Sequence, residues 1–267
     1  MITINIDPVL FSFGPFSVRW YGLMYAVGII TALLVVWPYA KAKGITPAQM
    51  ERMLWWAIPA GLVGARLYFV LQQRPLLPYL QEPWRILAFW EGGMAFYGAV
   101  FAVVLTLVLV SRRMGVSPWK FLDVMAIFGT VGQFFGRIGN VINGDVLGYP
   151  TTLPWGFVYA NPNSFAPRHD IAYQPAAVYE GIVNILLFTL LWRLRHKARP
   201  GTLFFTYIFG YSLSQIIVFV WRDNEVLLFG LKQAQLTAIG VILAAALVFA
   251  WFLKRRRENP AEGETRE

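Results

Sequence analysis

The sequence predicts an all-α, multi-pass membrane protein of about seven transmembrane helices, with its N-terminus outside and its C-terminus inside. Three observations predict this. Of 267 residues, 57% are hydrophobic and only 14% are charged, with a mean hydropathy of +0.53. A soluble chain of this length would need far more charge to cover its surface. Seven stretches are long and apolar enough to cross a bilayer, and the basic residues alternate between the connections that join them.

A span needs about 20 mostly apolar residues. The candidates are roughly Trp20–Ala40, Met53–Gln72, Gly93–Val110, Phe121–Val141, Pro175–Leu194, Thr202–Trp221 and Ala234–Leu253. Asp7–Phe16 is too short to span and reads as an interfacial segment. The fourth span is the weakest, because it carries Asp123, Gln133 and Arg137. The first residues, Met1 to Asp7, lack a basic region, so no cleavable signal peptide is expected.

Lys41, Lys43 and Arg52 follow span one, and Arg112, Arg113 and Lys120 follow span three. Arg193, Arg195, Lys197 and Arg199 follow span five, and Lys254 to Arg257 follow span seven. The opposite connections hold only Arg19, Arg74, Arg85, Arg168, Arg222 and Lys232. Positively charged connections stay cytoplasmic. The net charge of +9 is thus accounted for by juxtamembrane anchors facing anionic lipid, without nucleic acid.

The expected organisation is one transmembrane domain over residues 1–253 and a polar, disordered cytoplasmic tail over 254–267. An outer loop over about 144–174 holds Pro150, Pro154, Pro162 and Pro167 with Trp155, Phe157, Tyr159 and Phe165. A connection of that length is usually functional, and its aromatics suit a cap at the interface. There is no internal repeat of the kind that marks secondary transporters. There is no cysteine, which excludes disulfides and a thiol nucleophile of the protein's own. His169 and His196 are too few and too far apart to suggest a histidine metal site. No cofactor is expected.

The chemistry points to Gly136-Arg137-Ile138-Gly139-Asn140-Val141-Ile142-Asn143-Gly144-Asp145-Val146-Leu147-Gly148. An arginine at membrane depth costs roughly 3 kcal/mol on insertion scales, so it faces a bundle interior or wet cavity and has a partner. Asp145 and Glu180 are the candidate partners in a purely structural role. Arg137 and Asn140 share one helix face at i,i+3. An arginine beside asparagines makes a donor-rich surface suited to phosphate. Gly129, Gly132, Gly136 and Gly139 recur at helix-packing spacing. Tyr21 and Tyr25 share a face of span one and are candidate donors to a buried anion, while Trp20 reads as a belt residue. Glu180 lies about one turn into the proline-initiated fifth span and needs a partner. Arg222-Asp223, taken alone, reads as interfacial.

With these residues in hand, the chain resembles the prolipoprotein diacylglyceryl transferases of bacterial inner membranes. Gly136–Gly148 resembles the family signature Gly-Arg-x-Gly-Asn-Phe-x-Asn-x-Glu-x-x-Gly. Arg19-Trp20-Tyr21-Gly22-Leu23-Met24-Tyr25, Trp90-Glu91-Gly92-Gly93-Met94 and Pro175…Tyr179-Glu180 match further motifs, in order, from about Asp7 to Ala238.

The resemblance implies transfer of the diacylglyceryl group of phosphatidylglycerol to the lipobox cysteine of a prolipoprotein. A thioether forms and glycerol 1-phosphate leaves. It implies phosphatidylglycerol, prolipoprotein signal peptides and membrane lipids as partners, no nucleic acid, and a site in the outer half of the cell membrane. Arg137, Tyr97 and Asp145 are then the catalytic candidates. Arg137, Asn140, Asn143, Gly148, Tyr21, Tyr211, Gln215 and Arg222 are the substrate-binding candidates.

Four positions depart from the family pattern. Asp145 stands where Glu is usual, Tyr97 and Gln174 stand where His is frequent, and Gln215 stands where an arginine follows Tyr211 by four residues. Arg222 is the candidate substitute for that missing cation. The thiol's base is open among Asp145, His169 and Glu180, with Tyr97 a poor base because a tyrosine's reference pKa is about 10. The alternative reading is a diverged, inactive paralogue that binds or transports lipid or peptide. Transport would need access from both sides, yet the intramembrane polar residues cluster in the outer half.

Overall fold

The computed structural model describes residues 1–14, 16–73, 75–88 and 93–258. Arg74, the Trp90-Glu91-Gly92 part of the third motif and the tail beyond 258 lie outside them.

Apolar runs become helices because a helix satisfies every backbone group internally, which hydrocarbon demands. The helices are α1 (Trp20–Ala42), α2 (Pro47–Gln72), a short α3 (Leu77–Gln81), α4 (Phe96–Arg113), α5 (Pro118–Asn143), α6 (Ala176–Leu194), α7 (Thr202–Val218) and α8 (Gln233–Glu258). Six of them contain a stretch long and apolar enough to cross a membrane. The exception among the seven expected spans is α7, an apolar helix of 17 residues with a length of about 26 Å. The expected seventh span ends at Leu253, whereas α8 continues through the basic residues to Glu258. The helix starts follow local chemistry. Thr46 caps α2 with a full capping box to Gln49 and Pro47 behind it. Pro175 is the cap of α6.

Among the described residues, seven short strands, which the helical pattern does not announce, decorate the helix ends. β1 (Ile2–Ile4), β4 (Phe157–Tyr159) and β5 (Ala172–Tyr173) form a sheet in the order β1-β4-β5, with β1 parallel to β4. The Asp7–Phe16 region contains β2 (Val9–Phe13), which pairs with β3 (Phe16–Arg19) as a hairpin leading directly into α1. β6 (Val226–Leu228) and β7 (Leu231–Lys232) form a second hairpin between α7 and α8. All seven are too short to be seen as period-two patterns.

The chain divides into two compact units, Met1–Trp37 with Met125–Glu267, and Pro38–Val124. In the second, α2 and α4 meet through small residues: a Cβ on Gly64 would strike Ala102, and one on Gly98 would strike the Gly64 carbonyl. There Arg66, 1% exposed, donates to the carbonyls of Arg85 (2.7 Å), Ile86 (3.2 Å) and Gly93 (3.2 Å).

In the first unit, α5 meets α1 through its glycines. A Cβ on Gly28 would lie 3.3 Å from the Gly132 carbonyl oxygen, and one on Gly139 would lie 3.0 Å from Tyr21 Cα. The segment 144–174 folds onto β1 around Tyr159, Ala166 and Tyr173. It is tied to the start of α1 by Arg19, whose Nη1 donates to Asn143 Oδ1 at 3.2 Å and whose guanidinium lies 4.2 Å over the Phe165 ring. Asn163 donates to Asp7 at 3.1 Å. Leu34, Leu186 and Leu247 are exposed, as residues that face lipid should be.

Candidate functional site

Arg137 occupies the last two turns of α5, where Gly136 and Gly139 let α1 approach and Gly181 lets α6 approach. A Cβ on Gly181 would lie 3.7 Å from Arg137 Cβ. This close approach brings α6's Glu180 to the guanidinium. Arg137 Nη2 lies 2.5 Å from Glu180 Oε2. The other oxygen of Glu180 accepts from Arg222 Nη1 at 3.1 Å. One carboxylate therefore bridges two arginines. Glu180's side chain is 2% exposed, against 21% for Arg137 and 13% for Arg222. The carboxylate is sealed, and the cations keep a route to the outside.

The partner of Arg137 is thus Glu180, and Asp145 enters one step removed. Arg137 Nη1 donates to Asn140 Oδ1 at 3.0 Å, and Asn140 Nδ2 donates to Asp145 Oδ1 at 2.9 Å. Asn140 is buried, while Asp145 is exposed. The amide relays the arginine's polarisation to a carboxylate at the rim.

Arg222 lies past the end of α7, and its side chain turns to Glu180. Its Nε donates to Asn224 Oδ1 at 3.2 Å. Its backbone bridges to Gly148, whose N–H donates to Gln174 at 2.9 Å. A Cβ on Gly148 would strike the Trp221 carbonyl and Gln174, so this signature glycine serves a backbone crossing. Burial pulls the Arg222 guanidinium's pKa below the usual arginine value, Glu180's carboxylate opposes this, and Arg137's cation adds to it. Two cations on one carboxylate leave one positive charge in excess, in surroundings where Coulomb forces are stronger than in water.

Two further buried side-chain nitrogens belong to the candidate residues. Arg137 Nε and Gln215 Nε2 are buried without a hydrogen-bond acceptor among the described residues. Tyr21, Tyr25 and Tyr211 all lie within electrostatic reach of Arg137. Tyr21 donates to Tyr25 at 3.2 Å, and Tyr211, buried, stacks on Tyr207 with ring centres 5.7 Å apart.

Other expected participants have the following surroundings. Asn143 is 3% exposed and is engaged by Arg19 and, through its carbonyl, by the Phe165 N–H at 2.9 Å. It fastens the 144–174 segment. Tyr97 opens α4 in the Pro38–Val124 unit, with ring contacts to Phe96 and Phe101. His169 has its Nδ1 2.7 Å from the Tyr159 carbonyl oxygen. Gln174, in the frequent histidine position, accepts from Tyr179 Oη at 2.7 Å. Glu180 needed a partner on sequence grounds, but its bridging of two arginines from different elements had no local signal.

Helices of spanning length and composition, beside two arginines held on one buried carboxylate, define the class as a multi-pass membrane protein. The chain belongs to the prolipoprotein diacylglyceryl transferase family, whose model matches residues 8–251. It is similar to the phosphatidylglycerol–prolipoprotein diacylglyceryl transferase of Rhizobium meliloti (strain 1021), with 36% identity over 96% of this chain and 94% of the relative. The enzyme of that name from Rhodospirillum centenum is 36% identical over 96% of this chain and 93% of its own. The one from Bordetella avium is 32% identical over 96% and 98%.

Proposed function

We propose that this protein transfers the diacylglyceryl group of phosphatidylglycerol to the thiol of a lipobox cysteine in prolipoproteins. The observation that carries this reading is the pair Arg137 and Arg222 on the single buried carboxylate of Glu180. The names of the relatives supply the substrate pair. The site lies in the outer half of a bacterial cell membrane, with the N-terminus outside.

The lipid headgroup carries one negative charge and the attacking thiolate a second. Thiolate sulfur bonds to the terminal glyceryl carbon, and that carbon's bond to the phosphate oxygen breaks. The bonding electrons leave with glycerol 1-phosphate, whose phosphate gains the charge the sulfur loses. Donors fixed around the phosphate therefore bind the transition state more tightly than the ground state. Arg137 and Arg222 take the phosphate oxygens, with Gln215 Nε2 and Arg137 Nε as further donors. Asn140, Tyr21 and Tyr211 orient the glycerol and phosphate.

Glu180 is committed through both oxygens to two cations. Asp145, exposed at the rim and held by Asn140 through one oxygen, is the group that takes the thiol proton. A thiol of pKa about 8.5 needs only modest help. The test is an assay of purified protein with phosphatidylglycerol and a lipobox peptide. Release of glycerol phosphate with formation of a lipidated peptide is expected. Lipid binding without release would overturn the reading.

A further inference from the structure

We infer that Lys232 is a positioning residue for Arg222, and through it for the phosphate-binding pair; this rests on the reading above. Lys232 closes β7 at the foot of α8 and is 5% exposed. Its Nζ donates to the Phe219 carbonyl at 2.6 Å and to the Arg222 carbonyl. The same ammonium lies 4.6 Å over the Tyr149 ring. These contacts are two carbonyls and a π face, with no carboxylate among them.

The arrangement answers a local need. α7 ends at Val218, and the last carbonyls of a helix have no partner within it. A cation there also suits the negative end of the helix dipole. The chain then leaves helical geometry and must still deliver Arg222 to Glu180. From one side, Tyr149 N–H donates to the Trp221 carbonyl at 2.9 Å, and Asp223 N–H donates to the Leu147 carbonyl at 3.3 Å. From the other side, Lys232 takes the carbonyls of Phe219 and Arg222. The residue that supplies the second cation is thus held between two elements. Lys232 is itself set by Gln235, whose Oε1 accepts the Lys232 N–H at 3.0 Å while its Nε2 donates to the Ile216 carbonyl at 2.9 Å.

Burying an ammonium away from a carboxylate is costly, and here the cost is offset by the two carbonyls and the ring it meets. A methionine would carry no charge but would leave the Phe219 and Arg222 carbonyls without this donor, and one of those carbonyls belongs to the residue that supplies the second cation.

The test compares Lys232→Met, Lys232→Arg, Arg222→Gln and the double variant Lys232→Met/Arg222→Gln in the full-length purified protein. Lys232→Met should lower kcat/KM at least about 30-fold, as expected for losing hydrogen bonds from a charged group. The KM for phosphatidylglycerol should rise while that for the lipobox peptide stays unchanged. Lys232→Arg should restore part of the loss. The double variant should be no worse than Arg222→Gln, because both act through one group. A merely structural role would raise both KM values or make the two losses multiply, and either result overturns the inference.

Thermal stabilisation of the detergent-solubilised protein by phosphatidylglycerol supplies a second readout. If the wild type is stabilised but releases no glycerol phosphate, the transferase reading fails, and loss of stabilisation in Lys232→Met still supports the positioning role. If Lys232→Met is stabilised as well as the wild type, the positioning role is wrong. If the wild type shows neither transfer nor stabilisation, both fail.

Discussion

Arg222 places its Nη1 3.1 Å from Oε1 of Glu180, a residue 42 positions earlier in the chain. The other oxygen of Glu180 is already taken by Arg137 at 2.5 Å. The glutamate is therefore a strut between two cations. It offsets part of the cost of holding them in a low-dielectric setting.

Arg137→Ala should abolish transfer, and Arg137→Lys should remain severely impaired. Lysine keeps the charge but loses the planar fork that holds Glu180, Asn140 and a phosphate at once. Steady-state rates with phosphatidylglycerol and a lipobox peptide check this. Near-full activity in Arg137→Lys would remove the bidentate role.

Glu180→Gln should destabilise the protein, by about 3 kcal/mol, because two half-buried cations lose the buried counter-charge they share. Phosphatidylglycerol should then raise the variant's thermal midpoint more than the wild type's, since its phosphate supplies the missing negative charge. Equal shifts in the two proteins would argue that the lipid phosphate does not reach this pair.

Gln215 and Arg222 decide whether the chain is an ordinary transferase. If Arg222 supplies the cation missing at 215, Arg222→Gln should cost at least about 100-fold, on the order of 3 kcal/mol. Gln215→Arg should be neutral or harmful, because it crowds a site already in balance. The opposite pattern, a gain from Gln215→Arg and little effect from Arg222→Gln, would identify a decayed paralogue.

The proposed N-out orientation predicts a labelling pattern in intact cells. The cysteine-free sequence makes the test direct. A cysteine replacing Arg168, an exposed residue whose pair with Asp170 contributes little, should react with an impermeant maleimide. One replacing Glu262 should not. The reverse pattern would place the 144–174 segment on the cytoplasmic side.

The sequence by itself determined the helical spans, the interruption of the fourth by Arg137, and the cluster of polar residues around Gly136–Gly148. These are legible because hydrocarbon imposes a length and a composition on each span, and because a charge inside one stands out against it. The i,i+3 pairing of Arg137 with Asn140 followed from helix geometry alone. Only the tertiary structure decided that Arg137 pairs with Glu180 rather than Asp145, that Arg222 turns inward from the end of α7, that Asn143 fastens a loop, and that Lys232 holds the segment carrying Arg222. Each is a contact between elements distant in sequence. It is fixed by where small residues let helices approach and where a chain leaving its helix finds partners for its carbonyls, which no local spacing records. The short strands escaped for a related reason: two to five residues paired across long gaps carry no periodicity of their own, and they exist because the backbone at the helix ends must find hydrogen bonds somewhere.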